Sequence, residues 1–111
     1  MLLTEVIGKL GFEQKTGGAS DGVEVTGGYC GDLLSDVIGN AKAGSIWVTI
    51  QTHQNVIAVG TLLGLSAIVV AGGPELDDKT LQKADEEDVR ILTTRMKAFE
   101  AAGKLYELGI R

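Results

Sequence analysis

Two short segments rich in β-branched residues constrain the fold of this chain most strongly. Residues 45–51 (SIWVTIQ) have the composition of a β-strand with Ile46, Val48 and Ile50 on one face. Residues 67–71 (AIVVA) are apolar at every position, which is typical of a strand buried on both faces. A helix is predicted between them at residues 56–63, and strands and helices alternate from there to the end. This alternation predicts an α/β domain with a mostly parallel or mixed sheet flanked by helices.

Hydrophobic periodicity and turn residues extend this prediction over the rest of the chain. Helices are expected at residues 2–10, ended by Gly11, and after Asp32, which would be the N-cap. An acidic helix should begin at Asp77 or Asp78 and run to Glu87. Strands are expected at residues 12–16 and 89–92, with extended structure from residues 23–25 into Gly27 and Gly28. The predicted inner faces are Leu33, Leu34, Val37, Ile38 and Ala41 in the second helix, Leu76, Leu81 and Ala84 in the acidic helix, and Phe99, Ala102, Leu105 and Tyr106 in a closing helix over residues 96–108.

Length and charge narrow the class of protein. With 111 residues, the chain has room for one domain, residues 1–111. The net charge of −5 and the scattered Lys and Arg residues argue against a nucleic-acid partner, which requires a basic surface. Glycine and polar residues interrupt the apolar stretch 56–73, so no membrane span is predicted there. Together with the absence of a signal-like N-terminus, this leads to an expected cytoplasmic location.

The reactive side chains do not form a recognisable catalytic pattern. Cys30 is the only cysteine, which excludes an internal disulfide, and we expect it to be a small buried apolar residue. His53 is the only histidine; no pattern supports its pairing with Cys30 or Ser35 as a nucleophile and base. No spacing of His, Cys or carboxylate residues predicts a metal, and no cofactor is expected. The segment from Gly73 to Thr80 lacks the glycine that a phosphate-binding P-loop needs before its lysine.

Three polar or glycine-rich loops are the candidate ligand site, because ligands of open α/β sheets bind beyond the carboxyl ends of the strands. They are residues 26–32, 51–55 and 72–75. In the first, a T-x-G-x-x-G pattern is either a tight turn or an anion site, although Asp32 would oppose an anion. His53 is either a ligand contact or a structural residue in a capping loop. The candidate ligand-binding residues are Thr26, Gly27, Gly28, Gly31, Thr52, His53 and Asn55.

Two of these segments also carry a family resemblance. The stretch Thr26-Gly27-Gly28-Tyr29-Cys30-Gly31-Asp32, followed by residues 45–53 and 55–59, resembles the DRTGG domain family, and the likeness extends to Leu108. The Asp-Arg pair that gives the family its name is altered, with Gly22 after Asp21 and Val23 where the arginine is expected. The resemblance implies an α/β fold related to the N-terminal domains of HPr kinase/phosphorylase and MurF-type ligases. It also implies an accessory, frequently dimeric role beside catalytic or nucleotide-sensing domains.

The sequence therefore favours a non-catalytic regulatory module that senses a nucleotide-like or other small anionic ligand and forms a homodimer. A ligand-free interaction domain for itself or a partner enzyme is the alternative, and an enzyme is the less favoured third. The resemblance to HPr kinase does not imply serine kinase activity, because the P-loop of that enzyme lies in another domain.

Overall fold

Five short strands and five helices follow one another in the computed structural model, which describes residues 1–111. Their bounds are α1 Leu3–Leu10, β1 Glu13–Gln14, β2 Gly27–Cys30, α2 Leu34–Asn40, β3 Ser45–Thr49, α3 Asn55–Leu63, β4 Ala67–Val70, α4 Asp78–Glu86, β5 Ile91–Thr93 and α5 Ala98–Glu107. The strands form one sheet in the order β1-β5-β4-β3-β2. Strands β2 to β5 are parallel, and β1 pairs with β5 in the antiparallel direction. The predicted α/β domain with a mostly parallel, mixed sheet is confirmed.

Two hydrophobic cores lie on opposite faces of this sheet. Helices α1 and α5 cover one face, where Leu3 and Leu105 pack on Ile46 and Val48. Helices α2, α3 and α4 cover the other, around the fully buried Trp47. Every residue of β3 and β4 is buried, as expected for central strands between two layers of helices. The prediction for residues 67–71 is thus confirmed.

Local end signals act as predicted in two helices. Gly11 follows α1 with a left-handed backbone, and its N–H donates to the carbonyl of Ile7. Asp77 caps α4, where its carboxylate accepts the N–H of Thr80 at 2.7 Å. Both signals depend only on a few adjacent residues, which is why the sequence predicts them.

The predicted N-cap role of Asp32 is wrong. Leu33 precedes α2 without any side-chain cap. The Asp32 carboxylate instead accepts the Thr49 hydroxyl at 2.8 Å and the Ile50 N–H at 2.9 Å. This acid therefore joins the ends of β2 and β3, because two donors from a neighbouring strand outweigh one cap.

The inner faces of α2 and α5 were also only partly predicted. In α2, Val37 and Ala41 are buried, whereas Leu33 and Ile38 are exposed. In α5, Leu105 is buried as predicted, but Phe99 is 93% exposed and Ala101 is buried in its place. Tyr106 is exposed as well. Because Ala101 and Leu105 face the sheet, the helical period places Phe99 on another side of α5, where it meets solvent.

Candidate functional site

The chain leaves the ends of β4 and β5 toward opposite faces of the sheet. After β4 it continues into α4 on the Trp47 side, and after β5 into α5 on the Leu105 side. Such a divergence between neighbouring parallel strands opens a crevice at their carboxyl ends, where ligands of open α/β sheets bind. A cleft of about 640 Å³ lies there. It is lined by Leu10, Gly11, Glu13, Lys15, Gly73, Pro74, Glu75, Leu76, Leu81, Thr93, Thr94, Arg95 and Met96.

Backbone hydrogen bonds join the loop that follows β4 to the loop that follows β5. The N–H of Gly72 donates to the carbonyl of Met96 at 2.7 Å, and that of Gly73 to the carbonyl of Thr94 at 2.9 Å. The Thr94 hydroxyl accepts the N–H of Met96 at 3.2 Å. Gly73 has a φ of +73°, a conformation that favours glycine. These hydrogen bonds fix the two loops against each other, and Arg95 lies at the opening of the cleft.

Two cations and two acids surround the cleft, but they are not all paired. Lys15 forms an ion pair with Glu13 at 2.9 Å between Nζ and Oε1. The other ion pairs of the chain are Met1–Glu24 and Lys83–Glu87. The guanidinium of Arg95 thus has no carboxylate within ion-pair distance. It offers a planar set of donors suited to a phosphate or carboxylate.

The cleft also has an apolar part. Leu10, Leu76, Leu81 and Met96 are partly buried and line its wall. No histidine, cysteine or serine lines the cleft. The arrangement can bind a small molecule that has one apolar portion and one anionic group.

The predicted ligand residues lie at opposite ends of the sheet. Gly27 and Gly28 form the beginning of β2, opposite Ser45 and Ile46 of β3, so the prediction that residues 26–32 are a single loop is wrong. Thr26 precedes them, and its hydroxyl donates to the carbonyl of Ala43 at 3.2 Å. These three residues line a separate pocket of about 390 Å³ at the amino end, together with Lys42 and Arg111.

The other predicted residues lie at the carboxyl end but do not line the main cleft. Gly31 follows β2, and its carbonyl accepts the indole N–H of Trp47 at 2.8 Å. Thr52 and His53 precede α3, and Asn55 is its first residue. The Nδ1 atom of His53 accepts the N–H of Asn55 at 3.1 Å, which is a capping contact. This contact favours the structural interpretation of His53.

Cys30 is exposed on β2, so its predicted burial is wrong. Its partial desolvation and the nearby Asp32 carboxylate both raise the pKa of the Cys30 thiol. A raised pKa leaves less thiolate at neutral pH, and no base contacts the sulfur to activate it. This environment differs from that of a catalytic cysteine, whose pKa is lowered.

Sequence reasoning missed Arg95 and Lys15. The loop at residues 72–75 was correctly placed at the carboxyl edge of the sheet. The loop after β5, which contains Arg95, was not recognised as part of the same candidate site. The signal for Arg95 was its position in the short loop after a predicted strand, three residues beyond Leu92. Its significance depends on α4 and α5 packing on opposite faces, and no local pattern shows that.

No group of three or more His, Cys, Asp or Glu side chains is arranged to hold a metal ion. None of the helices has both the length and the apolar character needed to span a bilayer.

Comparison with known proteins supports the fold. No family model and no curated protein matches the sequence. The structure is similar to that of the CBS and DRTGG domains of the regulatory region of Clostridium perfringens pyrophosphatase, complexed with its activator, diadenosine tetraphosphate. The TM-score is 0.75 at 17% identity, and the match covers 91% of this chain and 44% of that chain. This chain therefore shares an α/β fold with part of a longer regulatory region.

Proposed function

We propose that this chain is a non-catalytic regulatory module that binds a small anionic ligand in the cleft between the ends of β4 and β5. The observation that carries this proposal is the free Arg95 guanidinium at the opening of the cleft. Arginine without an ion-pair partner is an available binding group for phosphate or carboxylate. The position agrees with the general location of ligand sites in open α/β sheets.

A nucleotide is the ligand class that we favour. Leu76 and Met96 would contact the base, and Arg95 a phosphate. The cleft volume of about 640 Å³ falls within the range of small-molecule sites. The structural neighbour comes from a regulatory region that was solved with a dinucleotide activator, which supports this class. Glu13 and Glu75 would favour one phosphate near Arg95 over a long phosphate chain, since further charges would meet these acids.

The proposed ligand site does not include Thr26, Gly27 and Gly28, which were candidate ligand residues in the sequence. A second candidate site remains at the amino end, where these residues and Lys42 line a smaller pocket. The two candidates differ in which cation they use, so they can be separated by mutation. Four expectations from the sequence remain predictions: membership of the DRTGG family, a single domain, an accompanying enzyme and a cytoplasmic location.

Isothermal titration calorimetry with adenine and guanine nucleotides, including diadenosine tetraphosphate, tests the ligand site. We expect binding to the wild-type chain and about a 10- to 100-fold loss in Arg95→Ala, since a charged hydrogen bond contributes about 1.5–3 kcal/mol. Lys42→Ala is the matched control and should bind normally. Loss of binding in Lys42→Ala alone would place the ligand at the amino end. Failure of every nucleotide to bind the wild type would contradict the nucleotide proposal.

The ligand-free interaction domain is the second candidate function. It is favoured by one specific observation, the exposed Phe99 on the side of α5. Tyr106 of the same helix is exposed as well, and contiguous exposed apolar patches mark sites where partners bind. If no nucleotide binds but the chain associates through α5, this second function is supported.

A further inference from the structure

The two loops of the cleft carry opposite charges that do not neutralise each other. The loop after β4 contributes Glu75, and the loop after β5 contributes Arg95. Both residues are exposed, and neither belongs to an ion pair within the chain. A ligand that lies between the loops can therefore use both charges, if it has an anionic group at one end and hydrogen-bond donors at the other.

The backbone of the β4 loop is poorly suited to an anion. The N–H of Gly73 is already donated to the carbonyl of Thr94 at 2.9 Å, and Pro74 has no N–H. Neither residue can donate to a phosphate, and the carboxylate of Glu75 repels one. The anionic end of a ligand therefore belongs beside Arg95, and its other end faces the β4 loop.

Glu75 and Arg95 are attached to the chain close to each other. A Cβ atom at Gly73 would lie 3.5 Å from the Cγ of Arg95 and 3.7 Å from its Cα, so this arginine passes directly against Gly73. Glu75 follows Gly73 by two residues, and two extended residues span at most about 7 Å. One mononucleotide is therefore large enough to contact both side chains.

Apolar side chains adjoin both charges. Leu76 follows Glu75, Met96 follows Arg95, and both are partly buried in the wall of the cleft. The bases of nucleotides have apolar faces and polar edges, and proteins recognise them by packing on the face and hydrogen bonding to the edge. A base that packs on Leu76 has its edge near the Glu75 carboxylate.

An ionised carboxylate accepts hydrogen bonds and donates none, so it discriminates among bases. The Watson–Crick edge of guanine has two adjacent donors, N1–H and the 2-amino group, and these match the two carboxylate oxygens. The same edge of adenine has one amino donor beside the N1 acceptor, whose lone pair would face a carboxylate oxygen. A site built to accept two donors rejects a ligand that lacks one of them.

We propose that the cleft selects guanine mononucleotides, with Glu75 accepting the N1–H and 2-amino groups of the base and Arg95 binding the phosphate. Base selection rests on the proposed function, since it requires that the cleft bind a nucleotide. Glu13 does not share this role, because its carboxylate is paired with Lys15 at 2.9 Å. The cleft thus has one free acid for the base and one free cation for the phosphate.

Isothermal titration calorimetry of the wild-type chain with guanosine, inosine and adenosine monophosphates tests the selection. We expect guanosine monophosphate to bind at least about tenfold more tightly than adenosine monophosphate. Inosine monophosphate keeps N1–H but lacks the 2-amino group, so its affinity should be intermediate. Equal binding of all three, weakened in Arg95→Ala, overturns base selection and leaves the proposed function intact. Failure of all three to bind contradicts both.

Two acid variants assign the selection to one side chain. Glu75→Gln replaces one acceptor oxygen with a donor, so the affinities for guanosine and adenosine monophosphates should come within about threefold of each other. Glu13→Gln is the matched control and should keep the preference for guanine. Arg95→Ala should weaken both nucleotides by the same factor, because the phosphate is common to them.

A Glu75→Gln variant that keeps the full preference overturns the assignment, and so does a Glu13→Gln variant that loses it. Circular dichroism verifies that each variant is folded, which we expect because Glu75 is exposed and unpaired. The comparison of guanosine with inosine monophosphate needs no variant.

Discussion

Gly17 illustrates how a single position can depend on a contact distant in sequence. Its φ is +92°, and its N–H donates to the Asp85 carboxylate at 2.9 Å. A Cβ atom there would lie 2.7 Å from the Cα of Arg90, which is closer than side chains tolerate. The neighbouring Gly18 also has a positive φ, +67°, but a Cβ atom there would meet nothing within 4 Å. Substitutions at these two glycines therefore distinguish the cost of backbone strain alone from the added cost of a steric clash.

We predict that Gly17→Ala destabilises the fold much more than Gly18→Ala. Left-handed backbone strain alone should cost Gly18→Ala about 1–2 kcal/mol. In Gly17→Ala, overpacking against Arg90 adds about 1–3 kcal/mol. Urea unfolding measures the free energy of unfolding of both variants. Equal values would show that the chain near Arg90 relaxes without cost.

At the scale of whole elements, the stability of α4 depends on its N-cap residue, Asp77. The backbone N–H of Thr80 donates to Asp77 and, with lesser contributions from Lys79 and His53, lowers the pKa of the Asp77 carboxyl. A pKa that is lower in the folded state means that the ionised carboxylate stabilises the fold above the ordinary value of 3.8. That stabilisation is lost as the pH falls through the lowered pKa. The start of α4 is therefore sensitive to acid.

We predict that Asp77→Ala lowers the thermal unfolding midpoint at neutral pH and that the difference from wild type shrinks below about pH 4. Asp77→Asn is the control, since its amide oxygen still accepts the Thr80 N–H but does not titrate. It should retain most of the midpoint at neutral pH and lose the acid dependence of this cap. A constant difference between Asp77→Ala and wild type from pH 7 to pH 3 would contradict the prediction.

Helix α5 shows where element-scale prediction is limited. Two stripes, Phe99-Ala102-Tyr106 and Ala98-Ala101-Leu105, have the same helical spacing, and periodicity alone favours the one with larger side chains. The structure buries the alanine stripe, because Ile46 and Val48 fill the space between α5 and the sheet. Choosing between the stripes requires the volume of the facing strands, which the helix sequence does not contain.

At the scale of the whole molecule, the two cores share the same central strands. Trp47 is fully buried on the α2–α4 face, while its neighbours Ile46 and Val48 pack on the α1–α5 face. Neither core can lose its packing without exposing strands that belong to the other. The chain should therefore unfold as one cooperative unit.

We predict that urea unfolding followed by Trp47 fluorescence coincides with unfolding followed by far-ultraviolet circular dichroism. Trp47 is the only tryptophan, so its emission reports on one core, whereas circular dichroism reports on all helices. Both curves should give the same midpoint and slope. Separate midpoints would show that one face of the sheet unfolds before the other.

The sequence by itself determined most helices and strands and the mostly parallel sheet, because periodicity, caps and turn residues act over a few neighbouring positions. It also identified the loop at residues 72–75 as part of the carboxyl edge. Only the tertiary structure decided the strand order, which makes β2 an edge and separates Gly28 from His53. It also decided that α4 and α5 cover opposite faces, and this creates the cleft at Arg95. These features depend on which distant strands pair and which helix face fits the sheet, and no local pattern encodes those choices.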